Sequence, residues 1–169
     1  EDIILILDSS ELFVIDIALI KKLDRSSNIK KLYEALILEL NQIISSYYNK
    51  YYLSQIIVDK CIVDNERFFD KFPEDNIITN NLKAEFKLIC FPKIFIKRIR
   101  DEFIKNNLNI KNIFCSSYIK SQFYVKELSK DKIIFLDIGL KRSSINFFVN
   151  KKIKLIETIP IGGYHITKD

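Results

Sequence analysis

The sequence predicts an α+β fold, in which short strands form sheets and amphipathic helices cover one face. Apolar residues recur at steps of three and four over residues 29–47, which predicts one long amphipathic helix. Apolar and charged residues alternate over residues 82–90, which predicts a strand with one face in water. Short apolar runs near the C-terminus predict a meander of strands at residues 132–138, 143–149 and 152–159.

Two strands are predicted before the long helix. Residues 3–7 form a short apolar run, and a polar turn separates it from a second run at residues 12–20, which predicts a hairpin. Residues 24–27 offer polar side chains that cap the N-terminus of the helix. After the helix, residues 53–63 predict a strand, and the polar residues 66–81 predict a loop.

A basic helix is predicted after the alternating strand. Pro92 suits its first turn, and the helix is expected to end near Asn106. Its inward residues are predicted to be Phe95, Ile99 and Phe103. The next predicted elements are a strand at 110–115, a helix at 116–127 and, within the C-terminal meander, a tight turn at Asn150-Lys151.

The charge is unevenly distributed along the chain. Residues 1–82 have 9 basic and 14 acidic residues, a net charge of −5, and residues 83–132 have 12 basic and 5 acidic residues, a net charge of +7. Residues 133–169 add 6 basic and 3 acidic residues, which gives the total of +5. Two interpretations stay open: ordinary solvated faces, or an acidic and a basic face suited to head-to-tail association or an acidic partner.

The cysteines and the hydropathy favour a cytoplasmic setting. The cysteines are odd in number, lie in apolar segments and lack zinc-ligand spacing; they are Cys61, Cys90 and Cys115. This pattern predicts buried, reduced thiols. No signal peptide is evident, and no apolar run approaches the ~18 residues typical of a transmembrane helix.

The candidate site lies where the chain uses glycine. The three glycines are Gly139, Gly162 and Gly163, and the first follows a strand that ends at Asp137. Glycine lets the backbone approach a ligand or adopt positive φ. An aspartate at a strand end can hold a metal-bound water, and a tight turn with short hydroxyls, here Ser143 and Ser144, can hold phosphate oxygens. The pattern predicts a phosphate site with Asp137 as metal ligand, or else a plain hairpin.

Other catalytic motifs are missing from the sequence. His165 is the only histidine, so a Ser/His or Cys/His pair would need it, and no base partner is near. No Walker-type loop, dinucleotide fingerprint or zinc motif is present.

Two stretches near the C-terminus carry a resemblance to a known family. Residues 135–139, FLDIG, followed by Ser143 and Ser144, resemble an Asp-apolar-Gly phosphate loop, and residues 159–169, IPIGGYHITKD, are similar to a "viPvGGdhiTnDi" segment. Both belong to the actin-like bacterial cell-division family FtsA. Where the family has Gly, Gly or Ala, and Thr, this chain has Leu140, Lys141 and Arg142, of which Arg142 offers a cation to a phosphate.

The upstream order of elements resembles the extra domain of the same family, called 1C or the SHS2 domain. Residues 61–65, CIVDN, take the place of its "yxvDgq"-like turn, and residues 82–89, LKAEFKLI, that of its "rLea.vHlit"-like strand. The resemblance implies an SHS2-type interaction domain at 1–128, with residues 1–22 as candidate end strands of subdomain 1A. Residues 129–169 are then the first strands of an actin-like (ribonuclease H-like) subdomain 2A.

The resemblance implies a fragment of a protein that works through protein interactions. In the family, the full protein binds ATP and Mg, polymerises, and tethers FtsZ to the inner face of the cell membrane at the division site. Its domain 1C mediates self-association and recruits divisome proteins such as FtsN. This chain alone is not expected to bind ATP tightly or to be an enzyme. The implied nucleotide residues are Asp137, Gly139, Ser143, Ser144, Gly162 and Gly163, and the proposed interaction residues are Lys97, Arg98 and Arg100.

Three alternatives remain beside this interpretation. The hairpin could be part of a working ATPase site, or the chain could belong to PilM, a pilus-assembly scaffold of similar fold. Nucleic-acid binding is the third, through the basic segment and the aromatic side chains of Tyr47, Tyr48, Tyr51 and Tyr52. We expect no nucleic acid as a partner, since only Lys50 lies near these tyrosines in the sequence.

Overall fold

A computed structural model describes residues 2–23, 29–73 and 80–167 of the chain. The predicted helix cap at residues 24–27 lies outside this part, and so does most of the second half of the predicted loop at 66–81. The helices and strands are, in chain order, β1 (Asp2–Leu7), β2 (Phe13–Lys22), α1 (Ile29–Tyr47), β3 (Tyr51–Val63), β4 (Arg67–Phe69), β5 (Asn81–Pro92), α2 (Lys93–Lys105), β6 (Asn109–Cys115), α3 (Ser116–Glu127), β7 (Lys132–Ile138), β8 (Ser143–Val149), β9 (Lys152–Ile159) and α4 (Gly163–Ile166).

The chain divides into two compact units. The discontinuous unit joins Glu1–Leu12 to Phe95–Asp169, and the central unit is Phe13–Ile94. These units are defined by contacts within the chain. The domain boundary between residues 128 and 129 was inferred from the family resemblance, and it stays a prediction.

The central unit is an antiparallel sheet with a helix packed on one face. Its strand order is β2-β5-β3-β4. The predicted apolar stripe of α1 is confirmed in its middle, because Leu36, Leu40 and Ile44 are buried in the core, but its last member, Tyr47, is exposed.

The predicted inward side of β5 is confirmed, since Ala84, Phe86 and their neighbours two residues away lie in the same core. Each large side chain buried in this way contributes roughly 1.5–3 kcal/mol. The prediction that its other face lies in water is wrong for the second half of the strand, where Lys87 is buried and pairs with Asp16 of β2.

The predicted hairpin between the first two strands is wrong. β1 pairs in parallel with β6, and β2 pairs antiparallel with β5 over its whole length. A polar turn shows where the chain bends, but it does not decide which edge each strand joins. The edge is decided by long-range burial, and Leu19 of β2 lies in the core that α1 and β5 share.

The predicted loop at 66–81 also needs correction, because it contains β4. Asp64 and Asn65 have φ values of 51° and 61°, and they reverse the chain so that Phe69 pairs with Cys61. The Asp64 carboxylate accepts hydrogen bonds from the backbone N–H groups of Asn80 and Asn81 at 3.0 and 3.1 Å. The turn that resembles the family's "yxvDgq" motif is thus a real chain reversal.

The basic helix α2 begins at Lys93, because Pro92 is the last residue of β5. Phe95, Ile99 and Phe103 are half-buried, and Ile96 is the buried residue of this helix. The predicted residues therefore do lie on the inward face of the helix, but Ile96, its most buried residue, was not among them.

The discontinuous unit contains a parallel pair, β1-β6, and an antiparallel meander, β7-β8-β9. The meander and its tight turn are confirmed: Val149 pairs with Lys152, and Asn150 and Lys151 both have positive φ, 50° and 63°. Helix α3 contacts β6, β7 and β8. No helix in the described parts of the chain is long and apolar enough to cross a membrane.

Candidate phosphate-binding hairpin

The turn between β7 and β8 is closed by its own backbone. The Gly139 N–H donates to the Arg142 carbonyl at 2.9 Å, and Asp137 pairs with Ser144 across the two strands. The loop is therefore four residues long, from Gly139 to Arg142. Its first N–H group is already hydrogen-bonded and is not available to a phosphate.

The segment with the other two glycines packs directly on this turn. The Gly163 N–H donates to the Gly139 carbonyl at 2.9 Å, and the Tyr164 N–H donates to the Leu140 carbonyl at 2.8 Å. In the reverse direction, from the hairpin to this segment, the Ser143 hydroxyl donates to the Ile161 carbonyl at 2.7 Å. These bonds fix the start of α4 against the hairpin.

The close approach explains why Gly162 is glycine. A Cβ atom at this position would lie 2.3 Å from the Gly139 oxygen and 2.6 Å from the Arg142 nitrogen, closer than real Cβ contacts. At Gly163 the nearest atom would be 3.9 Å away, an ordinary contact. None of the described glycines has positive φ. The glycines are therefore explained by close packing of one backbone segment on another, without a bound ligand.

Two ion pairs lie at the hairpin. Lys120 of α3 donates to Asp137 at 3.0 Å, and Arg142 donates to Asp8, which follows β1, at 3.1 Å. All four side chains line a cavity of about 430 Å³, together with Lys141 and Ser144. The cavity thus holds two carboxylates and three cations, a set that can exchange its internal ion pairs for a phosphate and a divalent cation.

Three of the predicted nucleotide residues line this cavity, namely Asp137, Gly139 and Ser144. The other three are next to it but have structural contacts: Ser143 bonds to Ile161, and Gly162 and Gly163 pack on the turn. Sequence reasoning missed Asp8 and Lys120, which are 129 and 17 residues from Asp137 along the chain. No local pattern could have placed them there.

The predicted metal ligand Asp137 is compatible with magnesium, though the described residues offer few further ligands. They contain no group of three or more His, Cys, Asp and Glu side chains able to hold a metal. Mg²⁺ usually keeps several waters and needs only one or two carboxylates beside phosphate oxygens. Asp137, with Asp8 on the same cavity, meets that requirement.

A second cavity, of about 260 Å³, lies between α3 and the meander. Asn146, which is 2% exposed, is one of its lining residues. The Asn146 amide nitrogen donates to the Ser117 carbonyl at 2.8 Å and to the Ser121 hydroxyl at 3.0 Å. Its Oδ1 atom is buried and has no hydrogen-bond partner.

The predicted interaction residues differ in exposure. Lys97 and Arg98 are exposed, whereas Arg100 is half-buried and has contacts within the protein. Two exposed apolar residues, Ile94 and Ile104, lie on the same helix. The accessible part of the predicted surface is therefore Lys97 and Arg98.

Two of the four candidate tyrosines and all three cysteines have structural environments, whereas Tyr47 is 80% exposed. Tyr48 and Tyr51 pack on Phe13, with ring centroids 5.3 and 4.7 Å apart. All three cysteines are free and buried, as predicted. Burial raises the pKa of the Cys90 thiol from 9.0 to about 12, and burial also raises the pKa of Cys115. Thiols in this state are poor nucleophiles.

His165 has a local role. Its Nδ1 atom accepts a hydrogen bond from the Gly162 N–H at 3.1 Å, and the side chain is otherwise exposed. His165 thus lies at the surface, and its contact with Gly162 helps to hold this segment in its bend.

Comparison with known proteins shows the fold. No family model matches this chain, and no curated protein matches it. Among solved structures, a chain of a "PilM-PilN type IV pilus biogenesis complex" matches with a TM-score of 0.63 and 12% identity. The match covers 99% of this chain and 45% of that one. The chain therefore has a mixed α/β fold like that of this neighbour, and it spans less than half of the neighbour's length.

Proposed function

We propose that this chain is part of an actin-like scaffold that acts by binding other proteins, including further copies of itself. The fold likeness to a pilus biogenesis complex, which extends over 99% of the chain, supports this proposal most directly. The central unit suits such a role, because its core is closed and its sheet and helix leave charged surfaces in water. In the discontinuous unit, Lys97 and Arg98 supply an exposed basic patch on α2.

Two cellular assemblies are candidates for this scaffold. The fold neighbour favours a PilM-like role in pilus assembly, with a PilN-like protein as partner. The similarity of residues 159–169 to the FtsA segment favours the divisome, with FtsZ and FtsN-like proteins as partners at the inner face of the cell membrane. In both roles the chain contributes contacts and is not itself an enzyme.

Binary binding assays separate the two roles. The purified chain would be titrated with the PilN-like protein and, separately, with the FtsZ and FtsN-like proteins of the same organism. Saturable binding to the PilN-like protein alone supports the pilus role, and saturable binding to a division protein alone supports the divisome role. Binding to neither contradicts the scaffold proposal in both forms.

We propose that self-association uses the basic patch of α2 against an acidic surface of a second copy. The double variant Lys97→Glu, Arg98→Glu should sediment as a monomer. Arg100 is not substituted, because it is half-buried. Lys130→Glu with Lys132→Glu is the matched control, since both lysines are exposed and the change in charge is the same. Unchanged sedimentation of the α2 variant, or a monomeric wild type at all concentrations, contradicts this step.

The hairpin cavity is proposed to take the phosphate end of ATP with Mg²⁺ in a protein that also contains the second lobe of the family. Lys120, Lys141 and Arg142 would meet phosphate oxygens, and Asp137 would hold the cation. Calorimetry with Mg-ATP should give no heat with this chain and measurable binding with a two-lobed version. Tight binding by this chain contradicts the proposal and favours the enzyme alternative.

A further inference from the structure

We propose that the outer edge of β2 pairs with the β2 edge of a second copy of this chain, antiparallel and about a two-fold axis, so that two central sheets become one. This pairing rests on the self-association proposed above and adds to it a second contact, in a different unit from Lys97 and Arg98 of the α2 patch. The length and regularity of the edge, and a charge pattern that matches itself when the strand is reversed, point to this partner.

The two edges of the central sheet differ. In the order β2-β5-β3-β4, the edge strand β2 has 10 residues and the opposite edge strand β4 has 3. The pairing of β2 with β5 runs without a bulge from Phe13 to Lys22, and among the described strands only β5 pairs with β2. Native sheets commonly protect an edge by a short strand, a proline or a bulge. β4 is short, whereas β2 has none of these three features, so its outer edge is open to another strand.

The face of β2 that points away from the core has a self-complementary pattern. Asp16, Ala18, Ile20 and Lys22 are exposed, and they alternate with inward residues such as Leu19. Along this face the order is therefore negative, apolar, apolar, positive. In an antiparallel pair centred on Leu19, Asp16 of one copy is opposite Lys22 of the other, and Ala18 is opposite Ile20. Directly opposite side chains share a face and interact, and the two-fold axis repeats each favourable pair.

Neighbouring registers lose this match. A two-fold antiparallel pairing places residues of the same face opposite each other, so its register changes in steps of two residues. One step in the first direction brings Asp16 opposite Ile20, and one step in the other direction brings Lys22 opposite Ala18. Each of these registers puts a charge against an apolar side chain, so the charges select the pair centred on Leu19.

The Asp16 carboxylate is held at the edge by its own chain and is still accessible. It accepts a hydrogen bond from the Lys87 ammonium at 2.5 Å. The Lys87 side chain is 7% exposed and that of Asp16 is 73% exposed. The buried cation therefore fixes the carboxylate on the outward face, where a second cation can reach it.

The β2 contact is symmetric and the α2 contact joins two different surfaces, so one chain can make both at once. Only residues 16–22 of each copy pair in this register. A contact along one strand edge of this length is smaller than the ~1,200 Å² typical of a stable interface. We therefore expect free chains to pair weakly through β2 and the pair to form where the α2 contact has brought chains together, which leaves the α2 variant a monomer.

Paired cysteines test the register. A chain with Ala18→Cys and a tagged, larger chain with Ile20→Cys are mixed in equal amounts, at a concentration where the wild type self-associates, and are mildly oxidised. The native cysteines are buried. Random coupling would give as much mixed product as the two self-linked products together. We expect the mixed product in about fivefold excess, because only the mixed pair is directly opposite and the self-linked pairs are diagonal.

Leu38→Cys in place of Ala18→Cys is the control for chance collision, since Leu38 is exposed on α1, and it should give the random ratio. Lys22→Glu in both cysteine chains should lower the yield of mixed product about tenfold, because a carboxylate then faces Asp16 at both ends of the pair. Lys22→Arg should preserve the yield. Lys50→Glu, the same charge change at another exposed lysine of the central unit, should preserve it as well.

The outcomes separate this pairing from the self-association on which it rests. A random product ratio from a chain that still self-associates in sedimentation overturns the β2 pairing and leaves the α2 contact standing. A chain that is monomeric at every concentration overturns both. An excess of mixed product that Lys22→Glu does not lower contradicts the charge match and with it the proposed register.

Discussion

The central and discontinuous units build their interiors in different ways. The central unit has no glycine, and its sheet and α1 bury a continuous core that includes Leu36, Leu40 and Phe86. The discontinuous unit has all three glycines and both cavities described above, and it leaves a buried acceptor on Asn146 without a partner. Its edge strand β7 also leaves apolar residues in water, namely Ile134, Leu136 and Ile138.

The difference indicates where stability and binding lie in the molecule. A closed apolar core with every strand paired gives stability and a fixed outer surface. Cavities, close backbone contacts and polar groups without partners lower stability locally, and they are kept where a ligand or partner makes up the loss. We therefore expect substitutions in the two units to act through different mechanisms.

The largest effect is expected in the core of the central unit. Leu40→Ala should lower the free energy of unfolding by about 2–5 kcal/mol, because a fully buried leucine leaves a cavity. Leu38→Ala, on the exposed side of the same helix, should change it by less than about 0.5 kcal/mol. Urea unfolding measures both. Hydrogen exchange should place the loss of protection in the central unit, and an equal loss in both units would contradict their separation.

The next effect is expected at the packed glycine of the discontinuous unit. Gly162→Ala should cost about 1–3 kcal/mol, because the new methyl group meets backbone atoms that cannot move aside easily. Gly163→Ala is the control and should be nearly neutral, since its Cβ has room. Thermal unfolding of the two variants gives the comparison. Equal stability of both would mean that the Gly162 segment does not rest on the hairpin.

The third prediction concerns pH and the core thiol. Burial raises the pKa of Cys90 from 9.0 to about 12, so the folded chain keeps a proton that the unfolded chain loses. This contribution to stability is fully present below pH 9 and is lost as the pH rises towards about 12. The slope should be at most about 1.4 kcal/mol per pH unit. Urea midpoints between pH 8 and 10.5 should fall less steeply for Cys90→Ala, and parallel curves would contradict the assignment.

The smallest effect is expected from the ion pair between Asp8 and Arg142. Both side chains are about one-third exposed, so a double-mutant cycle with Asp8→Asn and Arg142→Gln should give a coupling below about 1 kcal/mol. The more exposed pair of Lys120 and Asp137 should couple still less. A coupling of several kcal/mol at Asp8 would mean that the pair holds the hairpin in place and is not available for exchange with a phosphate.

Several features of the candidate site had a partial signal in the sequence. Strand β8 alternates, and its inward residues include Ser144, Asn146 and Phe148, so two polar side chains on a buried face could have been noticed as an unusual choice. The Asp137-Ile-Gly139 turn was recognised, but Lys120 could not be assigned to it, because helix α3 reaches Asp137 only through its packing on the meander. The role of Gly162 was likewise hidden, since its constraint comes from a turn 20 residues away.

The sequence by itself determined the local elements. The long helix, the alternating strand and the meander with its Asn150-Lys151 turn follow from periodicity and turn chemistry, which act between residues close along the chain. Only the tertiary structure decided that β1 pairs with β6, that Asp8 meets Arg142 and that Lys120 meets Asp137. Those contacts depend on which surfaces exclude water together. These long-range contacts depend on how the whole chain buries its apolar surface, and no periodic pattern in the sequence encodes them.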